Sequence, residues 1–275
     1  MEVMAVGSDR RAKRMSRKRA LAAAVFLILL GVLLAPAVAQ RQYQEIQRLW
    51  HDLETNRRPP EGTEFIFARV RFTGGARGRG FGFRGLEGWA HDYPEAEEHI
   101  LQVASEATGI NVNKMSYVIV RLDSEELFRY PFLYFSEVGE MSMTEREAAN
   151  FREYFNRGGF AMVDDFDTQY GLDWFASQMK MVFPDRNFVA LTVDHPLYHT
   201  FYEVPTLDVQ PPYQEPEKPG FYGYFDERGR LCMIINHNTD IGDFWEWIDQ
   251  PMYPLEPSTE ALRFGINYFM YSLTH

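Results

Sequence analysis

The sequence predicts a three-layer α/β fold, a mostly parallel sheet with helices on both faces, and three observations predict it. Short apolar runs alternate with helical patterns along the chain. The runs lack the in–out alternation of a sheet wetted on one side, and polar or glycine-rich turn residues close them. With 275 residues, 45% of them hydrophobic, the chain can bury a real core, which excludes a disordered, collagenous or coiled-coil protein. One cysteine excludes an internal disulfide, a cysteine-rich zinc site and an iron–sulfur cluster.

The elements follow in order. Arg10, Arg11, Lys13, Arg14, Arg17, Lys18 and Arg19 precede an uncharged stretch, 20–39, with an apolar core at Leu21–Leu34. Pro36 and Ala37-Val38-Ala39 complete the pattern of an export signal. Residues 1–39 are expected to be a signal peptide or, left uncleaved, a signal anchor, since 20 uncharged residues just span hydrocarbon. The body is then exported, periplasmic or extracellular, and meets a membrane only through this segment. It carries 21 basic against 37 acidic residues, which argues against nucleic acid as a partner. In 40–61, Ile46, Leu49, Trp50 and Leu53 form one helical stripe, broken at Arg57-Arg58-Pro59-Pro60, so an amphipathic helix and a linker are expected. Residues 62–275 are expected to form a single α/β domain.

Within it, Glu64–Phe72, Ser116–Leu122, Pro131–Phe135, Phe160–Val163 and Asn187–Val193 read as strands. Asp92-Tyr93-Pro94 opens a helix whose buried face is Ala96, Ile100, Val103, Ala104 and Ala107, and Gly109 stops it. Thr144 and Glu147 make a capping box for a helix ending at Gly158-Gly159, and Asp173–Phe183 reads as the next helix. Gly220–Phe225 and Arg230–Ile235 read as a C-terminal hairpin, and Ser258–Leu273 as a final helix that is apolar nearly all round.

Ligands of such sheets sit beyond the carboxyl ends of the strands, which directs attention to the loops at 73–93, 136–143, 164–171 and 194–199. Asp164 and Asp165, with Asp167 nearby, crowd carboxylates at a strand end. The functional reading is a metal-binding or acid–base centre, and the plainer reading of a helix cap with solvated neighbours stays open beside it. His195 and His199 are four apart beside Asp194, but Pro196 stands between them and the glutamate of H-E-x-x-H is missing. His195 is therefore read as part of a cleft wall. Gly80-Phe81-Gly82-Phe83-Arg84-Gly85 has the spacing of a dinucleotide fingerprint, yet the next helix waits until Pro94, so no pyrophosphate site is expected. Arg69, Arg71, Arg77, Arg79 and Arg84 form a basic region that either meets an anionic ligand or partner, or simply solvates a glycine-rich loop. His237, Asn238, Asp240 and Asp243 lie beside Trp245 and Trp247. They suit a ring-shaped ligand, or else Phe244 and Trp247 pin a short helix to the core.

The ordered series Trp89, Asp92-Tyr93-Pro94, Tyr130-Pro131-Phe132-Leu133-Tyr134, Gly158-Gly159-Phe160, Asp164-Asp165 and Asp194-His195-Pro196-Leu197-Tyr198, then Phe201-Tyr202, is distinctive in combination. It resembles the bacterial domain-of-unknown-function family 4159 over roughly 62–250. The resemblance implies a flavodoxin-like sheet, akin to the class I glutamine amidotransferase and ThuA-type folds, and an association with von Willebrand-type and MoxR-type ATPase partners. It implies an architecture and no chemistry. Amidotransferases of that fold carry a nucleophilic cysteine on the turn that here reads Val163-Asp164-Asp165-Phe166, while Cys232 lies inside an apolar strand. Glutamine amidotransfer is not expected.

Two functions remain. The first is an exported, non-catalytic domain that binds an envelope protein or a small ligand at the strand ends, through Asp92, Tyr93, Tyr134, Asp164, Asp165 and His195 together with Arg77, Arg79 and Arg84. The second is a hydrolase or isomerase acting on a small polar or sugar-like substrate, with or without a metal's help, in which Asp164 or Asp165 is the base and His195 assists. No cofactor and no resident metal is expected from a recognised motif.

Overall fold

The computed structural model describes residues 58–74, 88–212 and 218–275. The expected signal segment, most of the helix and linker before residue 62, and Arg77, Arg79 and Arg84 lie outside the described residues.

The strands are β1 (Phe67–Arg71), β2 (Thr73–Gly74), β3 (Tyr117–Arg121), β4 (Phe132–Ser136), β5 (Met141–Ser142), β6 (Phe160–Asp164), β7 (Val189–Ala190), β8 (Gly220–Phe225) and β9 (Leu231–His237). The helices are α1 (Glu95–Ala107), α2 (Glu145–Asn156), α3 (Thr168–Val182), α4 (Ile241–Glu246) and α5 (Leu255–Thr274). Seven strands form one sheet in the order β3-β1-β4-β6-β9-β8-β7, and β2 pairs with β5 apart from it. β3, β1, β4, β6 and β9 run parallel, whereas β8 is antiparallel to β9 and β7 to β8. Counted by their place in the chain, the parallel strands stand 2-1-3-4-5, so the crossover direction reverses between β1 and β4.

The pleat sorts side chains to the two faces. Phe67, Phe132, Tyr134, Phe160 and Met162 share a buried cluster with Ala96 and Ile100 of α1, Trp245 of α4 and Phe264 and Phe269 of α5. On the opposite face Phe135 meets Phe151 of α2 with ring centroids 5.2 Å apart, and Phe155 meets Phe183 at 5.3 Å. Helices therefore cover both faces, and the parallel strands read as continuous apolar runs because neither face is wet. The capping box forms as the spacing predicts: Glu147 N–H donates to Thr144 Oγ1 at 3.2 Å, and Thr144 N–H to Glu147 Oε2 at 2.8 Å.

Phe160–Val163 is a central strand, in parallel register with β4 (Phe132↔Phe160, Ser136↔Asp164) and with β9. One reading changes. The run Asn187–Val193 forms only the two-residue strand Val189–Ala190, exposed on the outer edge of the sheet, because it has a neighbour on one side alone. The hairpin forms as expected, with β8 antiparallel to β9. All seven residues of β9 are buried, and it inserts beside β6 as the fifth parallel strand, so its carboxyl end reaches the same rim. No helix among the described residues is long and apolar enough to cross a membrane; α5, the longest, buries its Phe264–Phe269 stretch.

Candidate functional site

The parallel strands deliver a ring of polar residues to one rim. β4 ends in Ser136 and Glu137, β6 in Asp164 and Asp165, and β9 leads to Asn238 and Asp240, while His91 and Asp92 follow the short 3-10 turn Gly88–Ala90. Among the described residues, the non-glycines with left-handed backbone are Asp92 (φ 61°), Glu137 (57°), Asp165 (54°), Thr168 (63°) and Asn238 (53°), and all of them stand at this rim. Such conformations cost about 1–3 kcal/mol each and persist only where the surroundings impose them. Here they are imposed by backbone bonds across the turns: Glu137 N–H to Asp165 O at 3.0 Å, and Asn238 N–H to Phe166 O at 3.1 Å.

Asp164 is fully buried and acts as the hub of the rim. Its Oδ2 accepts from the amides of Ile241 and Gly242, both at 2.9 Å, and from the Tyr134 hydroxyl at 3.3 Å, while Oδ1 accepts from Asn236 Nδ2 at 3.1 Å. These bonds tie the start of α4 to the end of β6. Asp165 points the other way. Its Oδ2 accepts from Ser136 Oγ at 2.9 Å and lies 2.8 Å from His91 Nδ1.

His91 Nδ1 is also 2.9 Å from Asp92 Oδ1, but one N–H can point at only one of the two carboxylates. Neither oxygen of Asp92 has a hydrogen-bond partner, and the residue is only 7% exposed. Asp240 has no exposure at all. Its Oδ1 accepts from Asp243 N–H at 2.7 Å to cap α4, and its Oδ2 has no partner. A ring nitrogen of His91 and one oxygen each from Asp92, Asp165 and Asp240 all lie within 4.8 Å of one another. Asp92 also belongs to a second such group, with Asp243 and Glu246.

Arg69 fixes this wall from behind. Buried within β1, it pairs with Glu97, lies over the Tyr134 ring at 4.7 Å, and donates from one nitrogen to Trp89 O at 3.0 Å and His91 O at 2.6 Å. It is thus a strut of the rim, and its place in the expected basic surface is corrected: a guanidinium in the middle of a two-sided buried strand has no route to water. Gly242 lies where a Cβ would come within 2.6 Å of Tyr134 Oη and 2.9 Å of Asp92 Oδ2. Only glycine leaves those two atoms their positions.

Burial, with the like charge of neighbouring aspartates added, pushes Asp164 up to about 8 and Asp243 to about 6, and Glu246 to about 7. The same causes hold Asp240 well above the usual carboxylate range. Burial works against the charged imidazole of His91, but its contacts with Asp165 and Asp92 outweigh this and raise it. The arrangement is a concentration of negative charge that the protein's own donors do not fully answer.

Asp92, Asp164 and Asp165 thus meet at one rim, with Tyr134 beneath them. Tyr93 turns toward the core, its ring perpendicular to Tyr117 at 5.7 Å. His195 stands at the opposite end of the sheet. It packs 5.8 Å from Phe225, which faces the first residue of β9, and 6.3 Å from Tyr271, and its Nδ1 accepts from Leu197 N–H at 3.2 Å. The reading that set it beside the aspartates assumed a full parallel strand before residue 194; the two-residue edge strand does not supply one. His199 is engaged by Glu203 at 2.6 Å and the Val193 carbonyl at 2.7 Å, and Asp167 is exposed. Sequence reasoning missed His91 and set Asp240 and Asp243 beside tryptophans. Trp245 is in fact fully buried, its indole N–H donating to Ala261 O at 3.1 Å.

The family model described as Domain of unknown function (DUF4159) matches residues 67–273. The chain belongs to this family. The match runs from the first residue of β1 to the last turn of α5, so every residue of the rim lies within the family's domain. A search of curated proteins finds no match.

Proposed function

We propose that this chain is an exported, non-catalytic binding domain whose strand-end pocket receives a positively charged ligand or partner group. One observation carries the reading: Asp92 and Asp240 each leave a buried carboxylate oxygen without a partner, and both residues give an oxygen to the same close cluster. A buried, unpaired carboxylate oxygen is costly, and folds retain such groups where a ligand answers them. Asp164, bonded on both oxygens, is read as structure and not as chemistry. Export rests on the basic, apolar and small-residue pattern of 1–39.

The test is a thermal-shift panel on the full chain after chelator treatment, with diamines, guanidinium compounds, basic peptides and divalent cations. At least one class should raise Tm in the wild type and fail to do so in Asp92→Asn. A panel with no shift, or equal shifts in the variant, overturns the reading.

A hydrolase or isomerase is favoured by a different observation, the left-handed Asp165 on a strand–helix turn with His91 in bonding reach. His91 then takes the part expected of His195. Turnover of a small polar substrate that survives His195→Ala and is lost in Asp165→Asn would support it.

A further inference from the structure

We infer that the pocket is a cation centre in which His91 Nδ1 and one oxygen each from Asp92, Asp165 and Asp240 hold a divalent first-row transition ion. The inference deepens the binding reading above and rests on it.

Three features point to an ion. The first is scale. The four candidate ligand atoms come from the turn after Gly88–Ala90 and from the ends of β6 and β9, yet fall within 4.8 Å of one another. Ligands about 2.1 Å from one ion stand at most about 4 Å apart, so the set needs only a slight contraction to close on one. The second is unmet demand. Asp240 Oδ2 and both oxygens of Asp92 are buried without hydrogen bonds, whereas both oxygens of Asp164 and Oδ2 of Asp165 have donors. Buried carboxylate oxygens left bare in this crowd of like charge are where a cation would be answered.

The third is support behind the ligands. Asp165 is oriented by Ser136, and Asp240 by the α4 amide it caps. The His91 segment is held by Arg69 through two backbone carbonyls. Outer contacts of this kind fix the direction of metal ligands.

The donor set selects the ion. Magnesium and calcium prefer oxygen alone, while an imidazole among carboxylates suits manganese, iron or zinc. With His91 neutral, three carboxylates and one divalent ion leave a residual charge of −1. An ion in this position would also be reached from solvent, because the His91 side chain is 47% exposed.

The experiment is calorimetric titration of the chelator-treated full chain with Mn²⁺, Zn²⁺, Mg²⁺ and Ca²⁺ in turn. The expected result is one Mn²⁺ or Zn²⁺ per chain, bound at least tenfold more tightly than Mg²⁺ or Ca²⁺. Asp92→Asn and Asp240→Asn should each weaken that ion at least tenfold, and His91→Ala should shrink its advantage over Mg²⁺. Both Asn variants keep the shape of the side chain and remove no hydrogen bond to the unpartnered oxygens, so without ion their Tm should stay at or above the wild type's. That control separates lost ligation from lost folding. Absence of stoichiometric binding overturns the inference, as does binding that both Asn variants leave unchanged. If basic peptides or diamines shift Tm through Asp92 while no ion binds, the inference fails and the binding reading stands. If nothing binds, both fail.

Discussion

Removing the Asp164 carboxylate should unlock the start of α4 from the sheet. In Asp164→Ala four buried donors lose their acceptor at once: the amides of Ile241 and Gly242, Asn236 Nδ2 and the Tyr134 hydroxyl. Each buried donor left unsatisfied costs about 1–3 kcal/mol, but relaxation and water recover part of this. A net loss of about 3–5 kcal/mol is expected. Asp164→Asn keeps one acceptor oxygen and turns an amide toward the remaining donors, so it should fall between the wild type and Ala. Urea unfolding of the full chain, followed by tryptophan fluorescence, reads both, since Trp245 is buried in α4 next to the bonds in question. If Asp164→Ala unfolds within about 1 kcal/mol of the wild type, Asp164 is no hub and the account of the rim is wrong.

Stability should also fall as pH rises. Asp164 and Asp240 bind their protons more tightly folded than unfolded, so folding is favoured below the ordinary carboxylate range and loses ground up to about 8 for Asp164. His91, raised in the fold, adds the same sign above its ordinary range. In chelator, each such group should change the folding equilibrium by up to about tenfold per pH unit, and a flat urea midpoint between acid and neutral pH would contradict this. Gly242→Ala should drive a methyl between Tyr134 Oη and Asp92 Oδ2, lowering Tm and weakening Mn²⁺ binding together; an unchanged titration would show that Asp92 does not contact the ion. Cys232 is buried, its thiol pushed up to about 12 by burial, so the native chain should resist thiol reagents and label fully only in denaturant. His195→Ala, at the far end of the sheet, should leave ion binding unchanged in the same calorimetry.

Much of the architecture could be read from the chain because the parallel strands are buried on both faces. FAMV before Asp164-Asp165 and YVIVR after Ser116 announce themselves without any partner in view, and Thr144 with Glu147 names a helix start from side-chain chemistry alone. The run at 187–193 has the same composition but lacks a second neighbour, and pairing is a property of the neighbour and not of the run. The site was half legible for the same reason. Asp92, Asp164 and Asp165 stand directly at turns, where the strand-end rule finds them. His91 carries no local signal, because its role depends on Asp165, which lies far along the chain and reaches it only through the order of strands. Arg69 misled because its charge suggests a surface, while Glu97, 28 residues on, supplies the burial partner.

One consequence of the strand order concerns timing. His91 and Asp92 are made early, but Asp240 comes only after β9 has slotted in beside β6. No nascent fragment that stops short of this last insertion owns a complete set of ligands. On the cation reading, loading therefore waits for a finished body, and the choice among ions is made where the chain completes itself.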